Sequence, residues 1–151
     1  MITHFNVTAH PTSDWVKHQL REAFPFDKVP KYLIHDRDAI FSGLRAFIES
    51  FGIKRKLISF RSPWQNGALE RFNGTLRREL LDHVIVLNED HLRRLVKEFV
   101  THYHEDRTHL GLAKDAPMGR QVKKPPNDQA TVVALPRLGG LCHRYAWDDA
   151  A

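Results

Sequence analysis

The chain has 151 residues, enough for one ordinary domain with a tail but not for two full-sized cores. Its 42% hydrophobic and 27% charged residues exclude the composition of a disordered protein. Since no apolar run approaches the roughly 20 residues of a membrane span, and no charged segment leads into an apolar one at the start, we expect neither a membrane protein nor a secreted one.

The charge of the chain is positive and unevenly distributed. The formal net charge is +5 and the pI is near 9.6, which fits either a polyanionic partner or a merely soluble basic protein. Between Ile53 and Arg78, however, seven basic residues accompany a single acid, Glu70. The lone cysteine, Cys142, excludes an intramolecular disulfide, so we expect the reducing cytoplasm.

The N-terminal residues predict a strand followed by a helix. Residues 4–8 alternate weakly between polar and apolar and predict a strand that begins close to the initiator methionine. Residues 11–13 offer capping side chains, and Val16, Leu20 and Phe24 recur every four positions. This spacing predicts an amphipathic helix that ends at Pro25.

A second strand and helix are predicted between residues 32 and 52. The apolar run 32–34 leads directly into Asp36 and Asp38, which is typical of a buried strand with carboxylates at its carboxyl end. The helix is indicated by Leu44, Phe47, Ile48 and Phe51, with Gly52 as the residue that ends it.

A strand, a loop and a third helix follow. We expect a strand at 53–58, a loop at 60–67 that contains Ser62-Pro63 and Asn66-Gly67, and a helix from Ala68. The residues expected on the core side of this helix are Leu69, Phe72, Leu76 and Leu80. Glu70, Asn73 and Arg77 project from the other side at spacings of three and four.

The C-terminal part predicts one more helix and a terminal hairpin. Asn88 is placed to cap a helix whose apolar face holds Leu92, Leu95, Phe99 and Tyr103. Residues 123–127 have the composition of a linker, and 131–140 predict a strand or hairpin. We therefore divide the chain into a core domain at 1–119 and a linker with tail at 120–151.

Two groups of polar residues are candidates for chemistry, each with a plain structural alternative. Glu70, Asn73 and Arg77 place a carboxylate, an amide and a guanidinium on one helix surface, although charged outer faces are the rule for helices. Asp36 and Asp38 stand at a strand end, where aspartates also serve as ordinary turn and capping residues. Because each of these two places carries a carboxylate, the two groups together favour a functional site over two unrelated surface features.

At these residues the sequence resembles a known family. Residues 32–36 with Phe41, then 62–73 (SPWQNGALERFN), resemble the second and third catalytic blocks of the integrase core of retroviruses and bacterial insertion sequences, the DDE transposases. Tyr103, Arg107, His109 and Leu112 resemble the closing pattern of that family. The resemblance runs from about His4 to Pro117, and its most specific part is 63–73.

The resemblance implies an RNase H-like α/β fold, a mixed sheet flanked by helices, and DNA integration, recombination or transposition by a mobile element. Asp36 would be the second metal-binding aspartate and Glu70 the metal-binding glutamate, with Mg²⁺ or Mn²⁺ as cofactor. Two such ions roughly 3.5–4 Å apart activate the attacking hydroxyl and stabilise the leaving oxygen in phosphodiester cleavage and strand transfer, and hard cations prefer carboxylate oxygen. Asp38 is the alternative to Asp36, with a poorer match at Phe41.

The resemblance also implies that the first catalytic aspartate has no counterpart here. Residues 4–12 correspond to the third strand of the family core, so the first two strands would have to precede Met1, and Asp14 does not match. Those strands are central in the RNase H-like sheet. We therefore expect a partial domain, inactive by itself and marginally stable or dependent on a partner.

The implied partner is double-stranded DNA, both the element ends and the target, with a homo-oligomer when the domain is complete and a location in the bacterial cytoplasm or nucleoid. The residues expected at the DNA are Lys54, Arg55, Lys56, Arg61, Asn73 and Arg77. Trp64 is either a stacking residue or, more commonly for a loop tryptophan, a packing anchor.

Other functions remain as alternatives. The chain could be a non-catalytic DNA-binding or oligomerising remnant of a mobile element, or an RNase H-like nuclease acting on RNA, which the closing pattern disfavours. A zinc site at His102, His104 and His109 is a weaker alternative, since structural zinc usually has four ligands with cysteine among them.

Overall fold

The computed structural model describes residues 1–25 and 29–148. The chain divides into two compact units, Ile2–Arg77 and Arg78–Ala151, with Met1 grouped with the latter. We call them the N-terminal unit and the C-terminal unit and describe each by itself. Helices and short two-stranded sheets alternate, as the α/β prediction requires. The predicted domain boundary after residue 119 stays a prediction.

The N-terminal unit contains three helices and two strands close to the predicted positions. They are α1 (Ser13–Ala23), β1 (Tyr32–His35), α2 (Arg45–Ser50), β2 (Lys54–Leu57) and α3 (Gly67–Glu79), whose last two residues lie in the C-terminal unit. Short 3-10 helices at Ala39–Leu44 and Pro63–Asn66 lead into α2 and α3.

The ends of α1 and α2 lie where the sequence predicts them. Thr12 caps α1, since its side-chain oxygen accepts the Trp15 N–H at 3.1 Å. After α2 the chain turns through Gly52 at a φ of 73°, a left-handed conformation that glycine adopts without strain. Gly52 N–H donates to the Glu49 carbonyl at 2.9 Å, which satisfies one of the last carbonyls of the helix.

The two strands form a parallel pair with one covered face. Tyr32 is in register with Lys54 and Ile34 with Lys56. The core on the covered face consists of Leu44, Ile48 and Ile53, with partly buried residues of α1 and with Leu33 packed against it.

The expectation that β1 is a buried strand is therefore wrong for one of its faces. Tyr32 and Ile34 are exposed because the helices pack against only one side of this two-stranded sheet. Buried strands of the parallel class are covered on both faces by crossover helices. In the described part of the chain, β2 is the strand that pairs with β1.

The predicted strand at residues 4–8 is also absent. The side chains of this segment instead contact α1, where His4 Nε2 and Asn6 Nδ2 lie 2.9 and 2.8 Å from the Gln19 side-chain oxygen. Alternation alone does not make a strand, since a strand is defined by backbone pairing with a neighbour.

The C-terminal unit contains one long helix and a hairpin. They are α4 (Glu89–Glu105), β3 (Val132–Arg137) and β4 (Cys142–Trp147), with 3-10 turns at Leu81–His83, Leu110–Leu112 and Leu138–Gly140. Asn88 caps α4 by accepting the His91 N–H at 2.8 Å. The hairpin is antiparallel and pairs Val132 with Trp147, so the cap and the terminal hairpin are both confirmed.

The buried residues of the helices differ from the predicted stripes. On α4 Phe99 is buried as predicted, but the other buried residues are Val96 and His102, each one position away from a predicted residue. On α3 Phe72 is buried, whereas Leu69 is 47% exposed, so its assignment to the core is wrong. Apolar spacing places residues on a face, but the neighbouring elements decide how much of that face is covered.

Candidate functional site

Asp36 lies in the turn that follows β1, and its side chain is exposed. One of its carboxylate oxygens accepts the Asp38 N–H at 3.2 Å, and its backbone carbonyl accepts a hydrogen bond from the His35 ring at 2.7 Å. The backbone is thus held while most of the carboxylate faces solvent. This is the carboxyl end of a parallel strand, a usual place for ligand-binding residues in α/β proteins.

Asp38 has a different local role. Its side-chain oxygen accepts the Ile40 N–H at 2.9 Å and caps the 3-10 helix that begins at Ala39. Of the two aspartates, Asp38 is the one that satisfies a helix end.

The ends of β1 and β2 are tied together beside Asp36. Ile58 N–H donates to the His35 carbonyl at 3.1 Å, which extends the parallel ladder by one residue. Arg37 Nε donates to the Ile58 carbonyl, also at 3.1 Å. These bonds place the turn at 36–38 and the start of the loop at 59–66 next to each other.

The loop between β2 and α3 is closed by Gln65. Its side-chain carbonyl accepts the Ser59 N–H at 2.7 Å, and its side-chain amide donates to the Ser59 hydroxyl at 3.1 Å. Ser62 is buried and donates its hydroxyl to the Phe60 carbonyl at 3.2 Å. A defined loop, rather than a flexible one, therefore leads into the helix that carries Glu70.

This loop presents two aromatic rings to solvent. Phe60 is 74% exposed and Trp64 is 72% exposed. The Arg61 guanidinium lies 5.2 Å from the centre of the Phe60 ring, on a backbone with a φ of 53°. The packing-anchor interpretation of Trp64 is wrong for this structure, because an anchor would be covered by its neighbours.

Glu70, Asn73 and Arg77 are all exposed on α3. Glu70 lies in the first turn of the helix, where the backbone dipole favours a carboxylate. The covered side of the helix is occupied by Phe72 and Thr75, and the Thr75 hydroxyl donates to the Arg71 carbonyl at 2.9 Å.

The donor set fits a divalent cation only in part. Asp36 and Glu70 supply the hard oxygen ligands that Mg²⁺ and Mn²⁺ prefer, and both are accessible. Among residues 1–25 and 29–148, no three histidine, cysteine or acidic side chains are grouped so as to hold a metal ion. The three histidines of the zinc alternative are therefore not arranged as a site, and the His109 ring packs against Tyr103 at 4.7 Å.

The basic residues of β2 do not share one surface. Lys54 and Lys56 lie on the exposed face of the sheet, in register with Tyr32 and Ile34, and Lys56 Nζ is 5.6 Å from the Tyr32 ring centre. Arg55 points to the opposite face because successive strand residues alternate. The assignment of these three residues to the DNA stays a prediction.

The closing pattern of the sequence forms a cluster around a glutamate at the end of α3. Arg107 donates from Nε and Nη2 to the two carboxylate oxygens of Glu79 at 2.8 and 2.6 Å. The same guanidinium lies 5.6 Å from the centre of the Tyr103 ring. Hydrogen bonding to Arg107 lowers the pKa of Glu79 below its ordinary value, although partial burial opposes the shift.

Sequence reasoning did not identify Glu79. The pair joins residues 28 positions apart, so no helical or strand spacing connects them. An alternation pattern or a cap cannot reveal such a contact, because both report only on residues within a few positions of each other.

Comparison with known families finds a match in the middle of the chain. Residues 51–117 match the family described as the integrase core domain. The matched segment includes the loop at 59–66, Glu70, Asn73, Arg77 and the closing pattern, but it does not include Asp36. No curated protein matches the chain. Residues 51–117 thus resemble the catalytic core of integrases and transposases. No helix in the described residues is long and apolar enough to cross a membrane.

Proposed function

We propose that this chain is part of the catalytic core of a DNA integrase or transposase, with Asp36 and Glu70 as ligands of Mg²⁺ or Mn²⁺. The observation that carries the proposal is the integrase-core match across residues 51–117 together with the exposed Glu70 at the start of α3. The reaction is cleavage of a DNA phosphodiester and transfer of the strand.

The chemistry assigns distinct tasks to the residues. Asp36 and Glu70 would hold a divalent cation through carboxylate oxygens. The cation would supply activation of the attacking hydroxyl and stabilisation of charge on the leaving oxygen. Asn73 and Arg77, which follow Glu70 on the helix by one and two turns, bind the DNA strand, the amide as a hydrogen-bond partner and the guanidinium as a phosphate ligand.

Asp36 is preferred to Asp38 as the aspartate ligand. One Asp38 oxygen caps a 3-10 helix by accepting the Ile40 N–H at 2.9 Å, whereas one Asp36 oxygen accepts the Asp38 N–H at a longer 3.2 Å. Cation binding by Asp36 leaves the helix cap undisturbed, and Asp36 is the residue that directly follows β1. The hydrogen bonds of Arg37 and Ile58 support this position by holding the strand ends.

The DNA surface of the N-terminal unit consists of Lys54 and Lys56 on the exposed sheet face, Arg61 in the loop, and the helix face of Asn73 and Arg77. Phosphate contacts of this kind bind duplex DNA with little sequence preference and with strong dependence on salt. Arg55 contributes through the opposite face of the sheet. The exposed rings of Phe60 and Trp64 add apolar and stacking area beside Arg61.

We propose further that the fold is RNase H-like and that β1 and β2 are two strands of a larger mixed sheet. The backbone N–H and C=O groups of Tyr32 and Ile34 point away from β2 in the parallel register, which leaves them for a further strand. A larger sheet would also hold a third carboxylate ligand, and the protein would act as a homo-oligomer on the element ends and the target.

The alternative is a DNA-binding remnant without catalysis, favoured by the absence of a third grouped ligand within the described residues. Binding of Mn²⁺ to the purified chain, followed by electron paramagnetic resonance, distinguishes the two. We expect weak binding that Asp36→Asn and Glu70→Gln each reduce and that Asp38→Asn preserves, because asparagine is also a good cap. Equal binding by all four proteins would refute the assigned ligands.

Catalysis is tested separately by joining a labelled DNA end to plasmid in Mg²⁺. The 151-residue chain should show no joining, because two carboxylates hold the metal pair incompletely. Magnesium-dependent joining by this chain would contradict that expectation. In a domain completed with further strands, Glu70→Gln should abolish joining while the fold and the DNA affinity persist.

A further inference from the structure

Asp36 and Glu70, the two proposed metal ligands, are carried by segments of the N-terminal unit that are far apart in the sequence. Asp36 lies in the turn after β1, and Glu70 lies in the first turn of α3. Mg²⁺ binds oxygen at about 2.0–2.1 Å, so two carboxylates can share an ion only if their segments are held near each other. The contacts that join those segments therefore decide whether the two carboxylates can act together.

Ile58 connects the turn that carries Asp36 to the end of β2. Its N–H donates to the His35 carbonyl and its carbonyl accepts from Arg37 Nε, each at 3.1 Å. His35 and Arg37 are the two neighbours of Asp36 in the chain. The backbone at Asp36 is therefore fixed relative to Ile58.

Gln65 connects the next residue, Ser59, to the start of α3. Its side-chain carbonyl accepts the Ser59 N–H at 2.7 Å, and its side-chain amide donates to the Ser59 hydroxyl at 3.1 Å. Two backbone bonds lie in the same loop, from the Ser62 N–H to the Ser59 carbonyl and from the Gln65 N–H to the Ser62 carbonyl. Because Gln65 uses a donor and an acceptor on one partner, its contact fixes orientation as well as distance.

The contact of Gln65 extends to Glu70 through continuous helix. Gln65 belongs to the 3-10 helix Pro63–Asn66, and α3 begins at the next residue, Gly67. Since the geometry of successive helical residues is fixed, the direction of the first turn of α3 follows the position of Gln65. Within the loop, Arg61 has a φ of 53°, which residues other than glycine rarely adopt, so the surrounding contacts are needed to keep the loop in shape.

We infer that Gln65 is a positioning residue for the metal site. Its two bonds to Ser59 hold the first turn of α3 against the end of β2 and thereby place Glu70 relative to Asp36. The inference rests on the proposed function, which assigns the two ligands, and it extends the site to a side chain that does not touch the ion. The neutral amide of Gln65 fixes the loop without adding charge beside the carboxylates.

The test compares the Mn²⁺ affinity of the full chain with that of variants that remove these bonds, measured by electron paramagnetic resonance. Gln65→Ala removes both side-chain bonds, Ser59→Ala removes only the bond to the hydroxyl, and Gln65→Glu keeps an acceptor for both Ser59 groups. Gln19→Ala is the matched control, since the Gln19 side-chain oxygen also lies 2.8 and 2.9 Å from two side-chain nitrogens in the same unit.

We expect Gln65→Ala to weaken Mn²⁺ binding about tenfold, the lower end of what replacing residues that support metal ligands typically costs. Ser59→Ala should weaken it less, because the bond to the Ser59 N–H remains. Gln65→Glu should bind at least as tightly as the unchanged chain, and Gln19→Ala should bind equally. Since Gln65 acts through Glu70, Gln65→Ala should cost little further affinity in a chain that already carries Glu70→Gln.

Two measurements without metal show whether the contact acts on position. Hydrogen exchange of the Ser59 amide should become faster in Gln65→Ala but not in Ser59→Ala, because only the first variant loses the acceptor of that N–H. Urea unfolding shows whether each variant is folded under the conditions of the binding measurement. If Gln65→Ala does not fold, Ser59→Ala replaces it and should still bind Mn²⁺ more weakly than Gln19→Ala.

The outcomes separate this inference from the proposed function. If Asp36→Asn and Glu70→Gln weaken Mn²⁺ binding while folded Gln65→Ala binds like the unchanged chain, the positioning role is wrong and the ligands stand. Equal weakening by Gln65→Ala and Gln19→Ala, or by Gln65→Ala and Gln65→Glu, would also overturn the positioning role. An unchanged chain without Mn²⁺ binding would overturn the ligand assignment and the positioning role with it.

Discussion

Replacing Glu79 by glutamine tests the contact that joins the end of α3 to the end of α4. The substitution keeps the shape of the side chain but removes the charge that two Arg107 nitrogens contact at 2.6 and 2.8 Å. Arg107 then keeps the Tyr103 ring beside it, but no longer has a carboxylate partner at this position.

The magnitude follows from the burial of the pair. The side chains are 26% and 33% exposed, so solvent screens them partly. Fully buried, each bond to a charged group would contribute about 1.5–3 kcal/mol, whereas exposed pairs contribute about 0.2–1 kcal/mol. We expect the substitution to lower the free energy of unfolding by about 1.5 kcal/mol, which corresponds to about 3–6 °C in Tm for a chain of this size.

The pH dependence gives a second measure of the same contact. Because the folded-state pKa of Glu79 is lowered from its ordinary value of 4.5, the stabilisation is complete above that value and disappears as pH falls through the lowered pKa. The difference in stability between the unchanged chain and the variant should therefore be constant near neutral pH and vanish in acid. Urea unfolding at pH 7, 5 and 3 measures it.

Glu49→Gln is the matched control. Glu49 also pairs with an arginine, Arg45, at 2.9 Å, but the two side chains are 51% and 71% exposed on α2. This pair should contribute about 0.3–0.5 kcal/mol. If Glu79→Gln cost no more than Glu49→Gln at pH 7, or if its cost did not decrease between pH 5 and pH 3, the bidentate pair would not stabilise the unit as argued.

Other regions of the chain make three further tests. Ile48→Ala should lower the free energy of unfolding by about 2–4 kcal/mol in urea titrations, because Ile48 is 1% exposed in the core of the N-terminal unit; a cost below 1 kcal/mol would contradict that core. Burial lowers the pKa of His102 from its ordinary value of 6.5, so the free energy of unfolding should decline as pH falls from 6.5 towards the lowered pKa. His102→Leu should reduce this decline, which unfolding curves at pH 7.5 and 5.5 measure. Lys56→Gln should weaken duplex DNA binding more than Arg55→Gln in low-salt titrations, since only Lys56 shares the exposed face with Lys54; the reverse order would place the DNA on the other face.

The sequence was informative wherever a structure depends on neighbouring residues. The caps at Thr12 and Asn88 and the turn at Gly52 were predicted because each involves hydrogen bonds within four residues. The positions of the four helices, the parallel strands and the terminal hairpin follow from similarly local signals. Glu70 was found through the residues around it, and the integrase-core match supports that region independently.

Exposure of the strands and the loop depended on the whole fold. Tyr32 and Ile34 belong to an apolar run that predicts burial, yet they are exposed because nothing in the described chain covers that face of the two-stranded sheet. Trp64 is exposed because the hydrogen bonds between Gln65 and Ser59 order its loop without covering the indole ring. An apolar side chain favours burial, but the packing of neighbouring elements decides whether that side chain is buried.

The choice between Asp36 and Asp38 and the role of Arg107 also depend partly on local sequence and partly on the folded structure. Spacing placed both aspartates after a strand, but the hydrogen bond from Ile40 gives Asp38 a capping role that the sequence left open. Arg107 was recognisable within the closing pattern, whereas its partner Glu79 lies in another helix. Local chemistry is encoded within a few residues of the chain, while contacts between distant segments exist only after folding has brought them together.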